Sequence, residues 1–238
     1  MTNRMIEATA TAKKRLLYGE VLDTLNQLFG FHPGYRPVHA KGIVCQGEFS
    51  PGSEASSLCR APHFQREPVP VTVRFSDFTG IPDIPDSDPN ASPRGMAIRF
   101  HLHGGGSTDI VAHSYNGFPA ASVEEFLGFL KAMAASGPDA QKPTLLDQFL
   151  ADHPKALQFA QSPKPTPASF ATESFYGVDA FRFINRDNAV RIGRYRIRPI
   201  AAEQHLTPEE AATKARDFLF DEMRRRLADG PAGFQLSV

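Results

Sequence analysis

Four strand-like segments between Arg36 and Phe118 each carry polar side chains that an ordinary sheet core would exclude. The segments read R-P-V-H-A-K-G, V-T-V-R-F-S, P-R-G-M-A-I-R-F and D-I-V-A-H-S-Y-N-G-F-P. Their polar residues are, in chain order, His39, then Arg74 and Ser76, then Arg94, and finally His113 and Asn116. Four strands that deliver polar groups to one place describe a functional site, and the rest of the chain then supports it.

The apolar pattern predicts strands that are separated by turns and helices. The predicted strands are residues 41–49, 69–75, 96–102, 109–113, 180–185, 189–198 and a last strand that begins near Gly233. The predicted helices are residues 6–29, a segment that begins at Ser122, residues 145–159 with an interruption at Pro154, and a segment from Thr207 to Gly230. This order favours an antiparallel β-barrel with helical insertions, which is an α+β fold.

The N-terminal residues 1–30 are predicted to form an amphipathic helical arm, because Leu17, Val21, Leu25 and Leu28 recur on one helix face. Residues 31–238 then form one barrel domain, since no repeat or linker divides them. The last predicted strand still continues at Val238, so the sequence predicts a barrel that is incomplete at its C-terminus.

Composition narrows the function classes. Lys and Arg number 26 and Asp and Glu also 26, so no net field attracts nucleic acid or an anionic membrane. No apolar run reaches the length of a membrane span, and the N-terminus lacks a signal-peptide segment, which favours a cytoplasmic protein. The 19 Phe fit either a large apolar cavity or a Phe-rich core, and Cys45 and Cys59 have neither metal-site nor disulfide spacing.

A histidine at the start of a strand can act as a general base, bind a metal or hydrogen-bond within a core. His39 has a possible partner in Ser76, which follows the neighbouring predicted strand. A serine hydroxyl at the imidazole Nδ1 would fix the tautomer and leave Nε2 as a base above a ligand. The residues alone leave the catalytic and the packing interpretation open.

The arginines of these segments, Arg36, Arg74 and Arg94, are candidates for binding an anionic ligand, because a guanidinium matches a carboxylate with two hydrogen bonds. The alternative is pairing with carboxylates of the same region. Asp77, Asp86 and Asp88 are near enough in sequence to serve.

A second possible site consists of His101, His103 and His113, which with Asp109 would suit a non-haem metal. The alternative is that these histidines decorate a hairpin beside the glycines at positions 104–106. The sequence contains no G-x-S-x-G, P-loop or C-x-x-C motif.

Taken together, the motifs resemble the haem catalases, and more closely the small catalase-related peroxidases, over residues 35–238. R-P-V-H-A-K-G is similar to the catalase R-x-x-H-A-K-G, V-R-F-S matches, and D-P-N-A-S-P-R-G-M-A-I-R-F resembles D-x-R-G-x-A-x-K-F. S-F-Y-G-V-D-A-F-R-F-I-N resembles the G-x-x-x-x-F-x-x-x-N start of a later strand. The resemblance implies a catalase-like barrel that binds haem b.

The resemblance also implies roles for single residues. His39 would be the distal histidine that takes and returns a peroxide proton, and Ser76 would be its hydrogen-bond partner. The residues implied to bind haem are Arg36 and Arg74 at the propionates, Val38 over the ring, and Phe118 and Phe126 on the distal side.

The sequence departs from the family pattern at two places. An ungapped match puts His113 at the position of the distal asparagine, so that either His113 or Asn116 would polarise the peroxide. The iron-binding tyrosine of the family lies in an R-x-x-x-Y helix beyond the last barrel strand. Tyr195 follows Arg191 with that spacing, but inside a strand pattern, so Tyr195 is interpreted as a strand residue and the iron ligand stays unassigned. The last barrel strand and the proximal-ligand helix are therefore expected to be missing from a C-terminally truncated chain.

The leading hypothesis is a catalase-related haem peroxidase that reduces hydrogen peroxide or organic hydroperoxides with an unknown electron donor. A fatty-acid hydroperoxide dehydratase of the allene-oxide-synthase type, which belongs to the same resemblance, is one alternative. A haem-free barrel that binds an apolar small molecule is an alternative from another class. We expect no nucleic-acid partner and no membrane span, and a homo-oligomer is possible.

Overall fold

The computed structural model describes residues 2–238, with side chains from Lys14 onward. The chain forms two compact units. Unit 1 contains the residues up to Ala40, Thr79–Pro82 and Gly117–Pro163, and unit 2 contains Lys41–Phe78, Asp83–Asn116 and Lys164–Val238. Unit 1 is helical, whereas unit 2 contains the β-strands.

The elements follow one another in nearly the predicted order. The α-helices are α1 (Thr2–Phe29), α2 (Ala55–Leu58), α3 (Val123–Ala134), α4 (Leu145–Asp152), α5 (Pro154–Gln161), α6 (Pro208–Ala212) and α7 (Phe218–Asp229). The strands are β1 (Gly42–Phe49), β2 (Val69–Ser76), β3 (Gly95–His101), β4 (Ser107–His113), β5 (Phe175–Tyr176), β6 (Phe181–Ile184), β7 (Val190–Gly193), β8 (Arg196–Pro199) and β9 (Phe234–Ser237).

The main sheet of unit 2 has seven antiparallel strands in the order β1-β2-β3-β4-β5-β8-β9, and β6 pairs separately with β7. Its strands form where apolar and polar residues alternate. In β2, for example, Val69, Val71 and Phe75 are buried, whereas Pro70 is exposed. The predicted α+β class, an antiparallel sheet with helical insertions, is confirmed.

Phenylalanine fills the core on one face of this sheet. The ring of Phe75 lies 5.3 Å from that of Phe170, 5.9 Å from Phe175 and 5.8 Å from Phe234, measured between centroids. Helix α7 contributes Met223, which is almost fully buried, to the same cluster. A Phe-rich core therefore accounts for much of the phenylalanine content.

In unit 1, α1 packs against α3. Leu25 of α1 is buried, and Lys131 of α3 forms a 2.7 Å ion pair with Glu20. The helix face predicted from Leu17, Val21, Leu25 and Leu28 is the less exposed side of α1 in its described part. Leu16, which is outside this face, is 71% exposed. Ser122 begins α3 by accepting a hydrogen bond from the Glu125 backbone N–H at 3.1 Å. None of the helices that the structure describes is long and apolar enough to cross a membrane.

Two predicted elements are wrong in their extent. The strand predicted over residues 189–198 is divided into β7 and β8, because β7 pairs with β6 while β8 pairs with β5 and β9. The helix predicted from Thr207 to Gly230 is divided into α6 and α7. The Arg216 carbonyl between them accepts a 2.8 Å hydrogen bond from the Asp86 backbone N–H, a tertiary contact that interrupts the helical ladder. The two-residue strand β5 was too short for any pattern to predict.

Replacing Phe75 by alanine should lower the free energy of unfolding by about 3–5 kcal/mol, because it leaves a cavity among three other rings. Equilibrium denaturation measures this loss. Phe31→Ala is the control, since its ring is 75% exposed, and should change the value by less than about 0.5 kcal/mol. A loss of under about 1 kcal/mol for Phe75→Ala would contradict the described core.

Candidate active site

Three candidate residues of unit 2, Arg74, Ser76 and His113, lie on the face of the sheet opposite the phenylalanine core. The strand register places Ser76 directly beside Gly42 on one side and beside Gly95 on the other, and Gly95 beside His113. Because neighbouring strands are about 4.8 Å apart, Ser76 and His113 lie about 10 Å apart across the glycine. The two predicted polar residues therefore share one row of the sheet.

The next row of this face contains Arg74, between Val44 and Ala97, and then Val111. A Cβ atom on Gly42 would overlap the guanidinium of Arg74 and would approach the Phe75 carbonyl oxygen to 2.8 Å. The guanidinium therefore lies over Gly42, where only glycine leaves room for it.

Small and apolar residues share this face of the sheet with Arg74. Val44 is 59% exposed and Val111 is 73% exposed, and the glycines at 42 and 95 add no side chain to the row of Ser76. Ser76 itself is buried. A guanidinium and exposed valines on one face are typical of a surface that binds a flat apolar ligand with an anionic group.

His113 is held in one tautomer. Its Nδ1 atom accepts a 3.3 Å hydrogen bond from the backbone N–H of Tyr115, so the neutral ring carries its proton on Nε2. The imidazole then presents an N–H donor, which is the function that an asparagine amide would otherwise provide. Asn116 lies three residues beyond the end of β4 and is exposed.

His39 belongs to unit 1 and has a left-handed backbone conformation, with φ of 54°. Such a conformation is uncommon outside glycine, although histidine adopts it more readily than most residues. The Ala40 backbone N–H donates to the Thr79 carbonyl at 3.0 Å, and a Cβ atom on Gly80 would overlap the Pro37 carbonyl. The segment around His39 is therefore packed closely against residues 79–80, and its strained backbone marks a candidate functional position.

Of the other predicted residues of unit 1, two are in contact with each other. The rings of Phe118 and Phe126 are in contact, with centroids 5.1 Å apart. Val38 is half-buried next to His39, and Arg36 is exposed. The predicted role of Phe118 and Phe126 in lining a haem stays a prediction.

A buried cluster of ions lies at the sheet edge where β1 and β3 begin and β2 ends. Arg94 and Asp77 form an ion pair, and both side chains are fully buried. Lys41 pairs with the fully buried Asp86 and lies 2.8 Å from Asp217. The predicted alternative for Arg94, pairing with a nearby aspartate, is the correct interpretation, so Arg94 is not a ligand-binding arm.

Asp86 connects this cluster to α7. One of its carboxylate oxygens accepts from Lys41, and the other accepts a 2.7 Å hydrogen bond from the Leu219 backbone N–H in the first turn of the helix. Lys41 also donates to the Ile84 carbonyl at 2.8 Å and lies 4.9 Å from the ring centroid of Phe220. The start of β1 and the start of α7 are thereby joined.

Burial and the neighbouring Asp86 carboxylate raise the pKa of Asp77 to about 7, although Arg94 and Lys41 act in the opposite direction. The Asp77 Oδ2 atom is 3.8 Å from the Lys41 Nζ atom, beyond hydrogen-bond distance. The three carboxylates at 77, 86 and 217 outnumber the buried cations at 41 and 94, and Arg216, which also contacts Asp217, is exposed. The raised pKa of Asp77 therefore reflects a buried carboxyl that lies beside a second buried carboxylate.

The alternative metal site is wrong. His101 ends β3 and His103 lies in the turn beyond it, so the two imidazoles do not share a strand face. The partners of His101, His103 and Asp109 are Thr72, the Pro68 carbonyl and Arg99, respectively. Across the side chains that the structure describes, no group of three or more His, Cys, Asp or Glu residues is arranged to hold a metal ion.

Tyr195 lies between β7 and β8 and is buried. Its ring centroid is 5.4 Å from those of Phe181 and Phe183. Burial raises the pKa of Tyr195 to about 12, and Cys59 acts in the same direction. The residue is therefore a neutral phenol of an aromatic cluster.

Sequence reasoning missed the glycines of the site and the role of Lys41. The available signal was the position of each glycine, directly after a basic residue at the start of a strand, in K-G at 41–42 and R-G at 94–95. A glycine at such a point indicates close approach of another group.

Comparison with known proteins gives a consistent family. A family model described as Catalase matches residues 32–231. The chain is 37% identical to a catalase-related peroxidase of Mycolicibacterium paratuberculosis, over 92% of this chain and 69% of the relative. It is 31% identical to a catalase-related peroxidase of Synechococcus elongatus, over 89% of this chain and 63% of the relative. The chain thus spans about two thirds of the length of these two relatives.

Solved structures of catalases share the fold. A fungal catalase superposes with a TM-score of 0.70 at 21% identity, over 88% of this chain and 43% of the other. A bacterial catalase also gives a TM-score of 0.70, at 20% identity, over 96% of this chain and 43% of the other.

Replacing Gly42 by alanine should destabilise unit 2 by about 1–3 kcal/mol, because the new methyl group displaces the Arg74 guanidinium or the backbone beside it. Gly47→Ala, in the same strand, is the matched control, since its Cβ would lie at an ordinary 3.4 Å from the nearest Val71 methyl carbon. Denaturation of both variants measures the difference. Equal stability of the two would show that the space over Gly42 is not filled.

The raised pKa of Asp77 makes stability depend on pH in a defined direction. The folded protein binds this proton more tightly than the unfolded chain does, so its contribution is complete below about pH 4 and is lost as the pH rises through about 7. Asp77→Asn lacks this titration, so the stability of the wild type relative to Asp77→Asn should fall as the pH rises from about 4 to about 7. Denaturation at several pH values measures this, with the exposed Asp83→Asn as the control. A constant difference between wild type and Asp77→Asn over this range would contradict the shift.

Proposed function

Since the chain belongs to the catalase family, we propose that it acts as a catalase-related haem peroxidase that reduces hydrogen peroxide or small organic hydroperoxides. The observation that carries this proposal is the row of Ser76, Gly95 and His113, in which the His113 imidazole carries its proton on Nε2 and a glycine separates it from Ser76. Peroxide reduction requires a base and a positioned hydrogen-bond donor, and this row offers the donor.

We assign the base to His39. Its imidazole would receive the proton of the bound peroxide and return it to the departing oxygen, which leaves as water or as an alcohol. Ser76 would hydrogen-bond to the imidazole and hold its tautomer, and His113 would donate its Nε2 proton to the peroxide. Asn116 is the second candidate for this donor. The strained backbone at His39 supports its assignment, since strain is retained where a side chain must point in one direction.

The sheet face fits a haem on its peroxide side. The Arg74 guanidinium over Gly42 suits a propionate, and the exposed Val44 and Val111 suit the apolar ring. By the family resemblance, Arg36, Val38, Phe118 and Phe126 are also assigned to haem binding. When bound, haem supplies the ferric iron at which the peroxide O–O bond is broken.

Tyr195 does not fit the role of iron ligand. Ligation requires a phenolate, and the burial of Tyr195 between two phenylalanine rings, which raises its pKa to about 12, opposes that ionisation. We therefore propose the residues of the peroxide side and assign no ligand to the iron.

A haem-free binding protein is the second candidate, and the state of Tyr195 favours it. In that case the face with Val44, Arg74 and Val111 would bind an apolar small molecule with an acidic group. The electron donor that a peroxidase needs would have no role there.

Titration of the purified chain with haemin tests the two candidates. A peroxidase should give a stoichiometric Soret band and should oxidise a chromogenic electron donor when peroxide is added. His39→Ala should then lower kcat/KM by about 100-fold to 10,000-fold, the range for removing a general acid–base residue. His103→Ala is the control, because this exposed imidazole lies in the turn after β3.

Absence of a Soret band, together with tight binding of a fluorescent fatty acid, would favour the binding protein. Haem-dependent turnover that survives His39→Ala would instead reject the assignment of the base.

A further inference from the structure

The ion pair of Arg94 and Asp77 is placed where three strands of the site begin or end. Asp77 directly follows Ser76, the last residue of β2, and Arg94 directly precedes Gly95, the first residue of β3. The Arg94 backbone N–H donates to the Ser114 hydroxyl at 2.9 Å, and its carbonyl accepts from the Ser114 N–H at 2.8 Å. Arg94 therefore contacts both Asp77, which follows Ser76, and Ser114, which follows His113.

The Arg94 guanidinium has further fixed partners. Besides Asp77, it donates to the Ala91 carbonyl at 3.0 Å and to the Asp86 carbonyl. A planar guanidinium that binds three acceptors has one orientation only, which a lysine could not reproduce. The side chain is fully buried, so water does not compete for these bonds.

The start of β1 is tied to the same cluster. The Asp77 backbone N–H donates to the Lys41 carbonyl at 3.2 Å, and the Lys41 side chain binds Asp86. The four strands β1 to β4 are therefore connected at the edge that carries the candidate residues, through one buried group of charges.

We infer that Arg94 and Asp77 are positioning residues, which fix Ser76 and His113 relative to each other from below the surface that binds peroxide. This inference rests on the proposed function for its catalytic meaning, and on the contacts alone for its geometry. Stability is a weak reason for such a pair, because well-packed apolar residues usually replace a buried ion pair without loss. Placement of reacting groups is a stronger reason, since small displacements reduce rates steeply.

A second arginine–aspartate pair on the same strands provides the comparison. Arg99 of β3 forms two 2.8 Å hydrogen bonds with Asp109 of β4. Both side chains are about half exposed, and the pair lies four residue pairs along the ladder from the row of Ser76 and His113. Its removal deletes a cross-strand ion pair without touching the strand ends.

The test combines Arg94→Met with Asp77→Leu, so that neither variant residue leaves a buried charge unpaired. Arg99→Met with Asp109→Leu is the matched control. In the chain without haem, ¹⁵N spectra of histidine report which ring nitrogen of His113 carries the proton. We expect the first variant to lose the single Nε2–H tautomer while circular dichroism stays unchanged, and we expect the control to keep that tautomer.

In the haem-loaded protein, the first variant should lose about 100-fold in kcat for peroxide, with KM little changed, as expected for misplaced groups. If the double variant does not fold, Arg94→Lys keeps the charge and removes the planar contacts, and the same two measurements apply. A folded variant with the wild-type His113 tautomer and wild-type kcat would overturn the inference.

The outcomes separate this inference from the proposed function. Suppose that the His113 tautomer changes in the Arg94 variant but not in the Arg99 control. This result supports the positioning role even where the wild type shows no peroxidase activity. In that result the proposed function fails and the geometric inference stands. If wild type and folded variant show the same peroxidase activity, the proposed function stands and the positioning role of Arg94 and Asp77 fails.

Discussion

The buried charges at the edge of the main sheet connect strands, loop and helix of unit 2 and must stay paired. Arg94 and Asp77 are fully buried as a pair, and Asp86 holds both Lys41 and the first turn of α7. Loss of one partner would leave a charge without compensation in the interior, which is among the most destabilising changes a protein can undergo. The sheet, the loop of residues 83–94 and α7 are therefore determined together.

The same edge of the sheet explains why the candidate site requires glycine. Gly42 leaves the space that the Arg74 guanidinium fills, and Gly95 separates Ser76 from His113. Glycine weakens a strand, because it contributes no packing and loses much conformational freedom on folding. The neighbouring ion cluster offsets this weakness by fixing the strand ends, so that the sheet stays ordered at these glycines.

The sequence predicted what local pattern controls. Strands β1 to β4 lie within two residues of their predicted bounds, since their alternation is regular and their ends are marked by turns. The break between α6 and α7 could not be predicted, because a tertiary hydrogen bond to the Arg216 carbonyl causes it. The prediction that His101 and His103 share one strand face was also wrong, because β3 ends at His101 and the strand periodicity no longer holds at His103. For the candidate site, the motifs suggested which polar residues to consider, whereas the distances between these residues depend on the strand register.

The histidine at position 113 shows how chemistry and fold are linked. An asparagine amide donates a hydrogen bond in any protonation state, but a neutral imidazole donates only from the nitrogen that carries its proton. Here the Tyr115 backbone N–H occupies Nδ1 and leaves the proton on Nε2. That backbone N–H belongs to the turn after β4, which the two hydrogen bonds between Arg94 and Ser114 hold in place. An imidazole can therefore replace the amide as donor only while the turn keeps its shape, and the turn keeps its shape through the buried arginine.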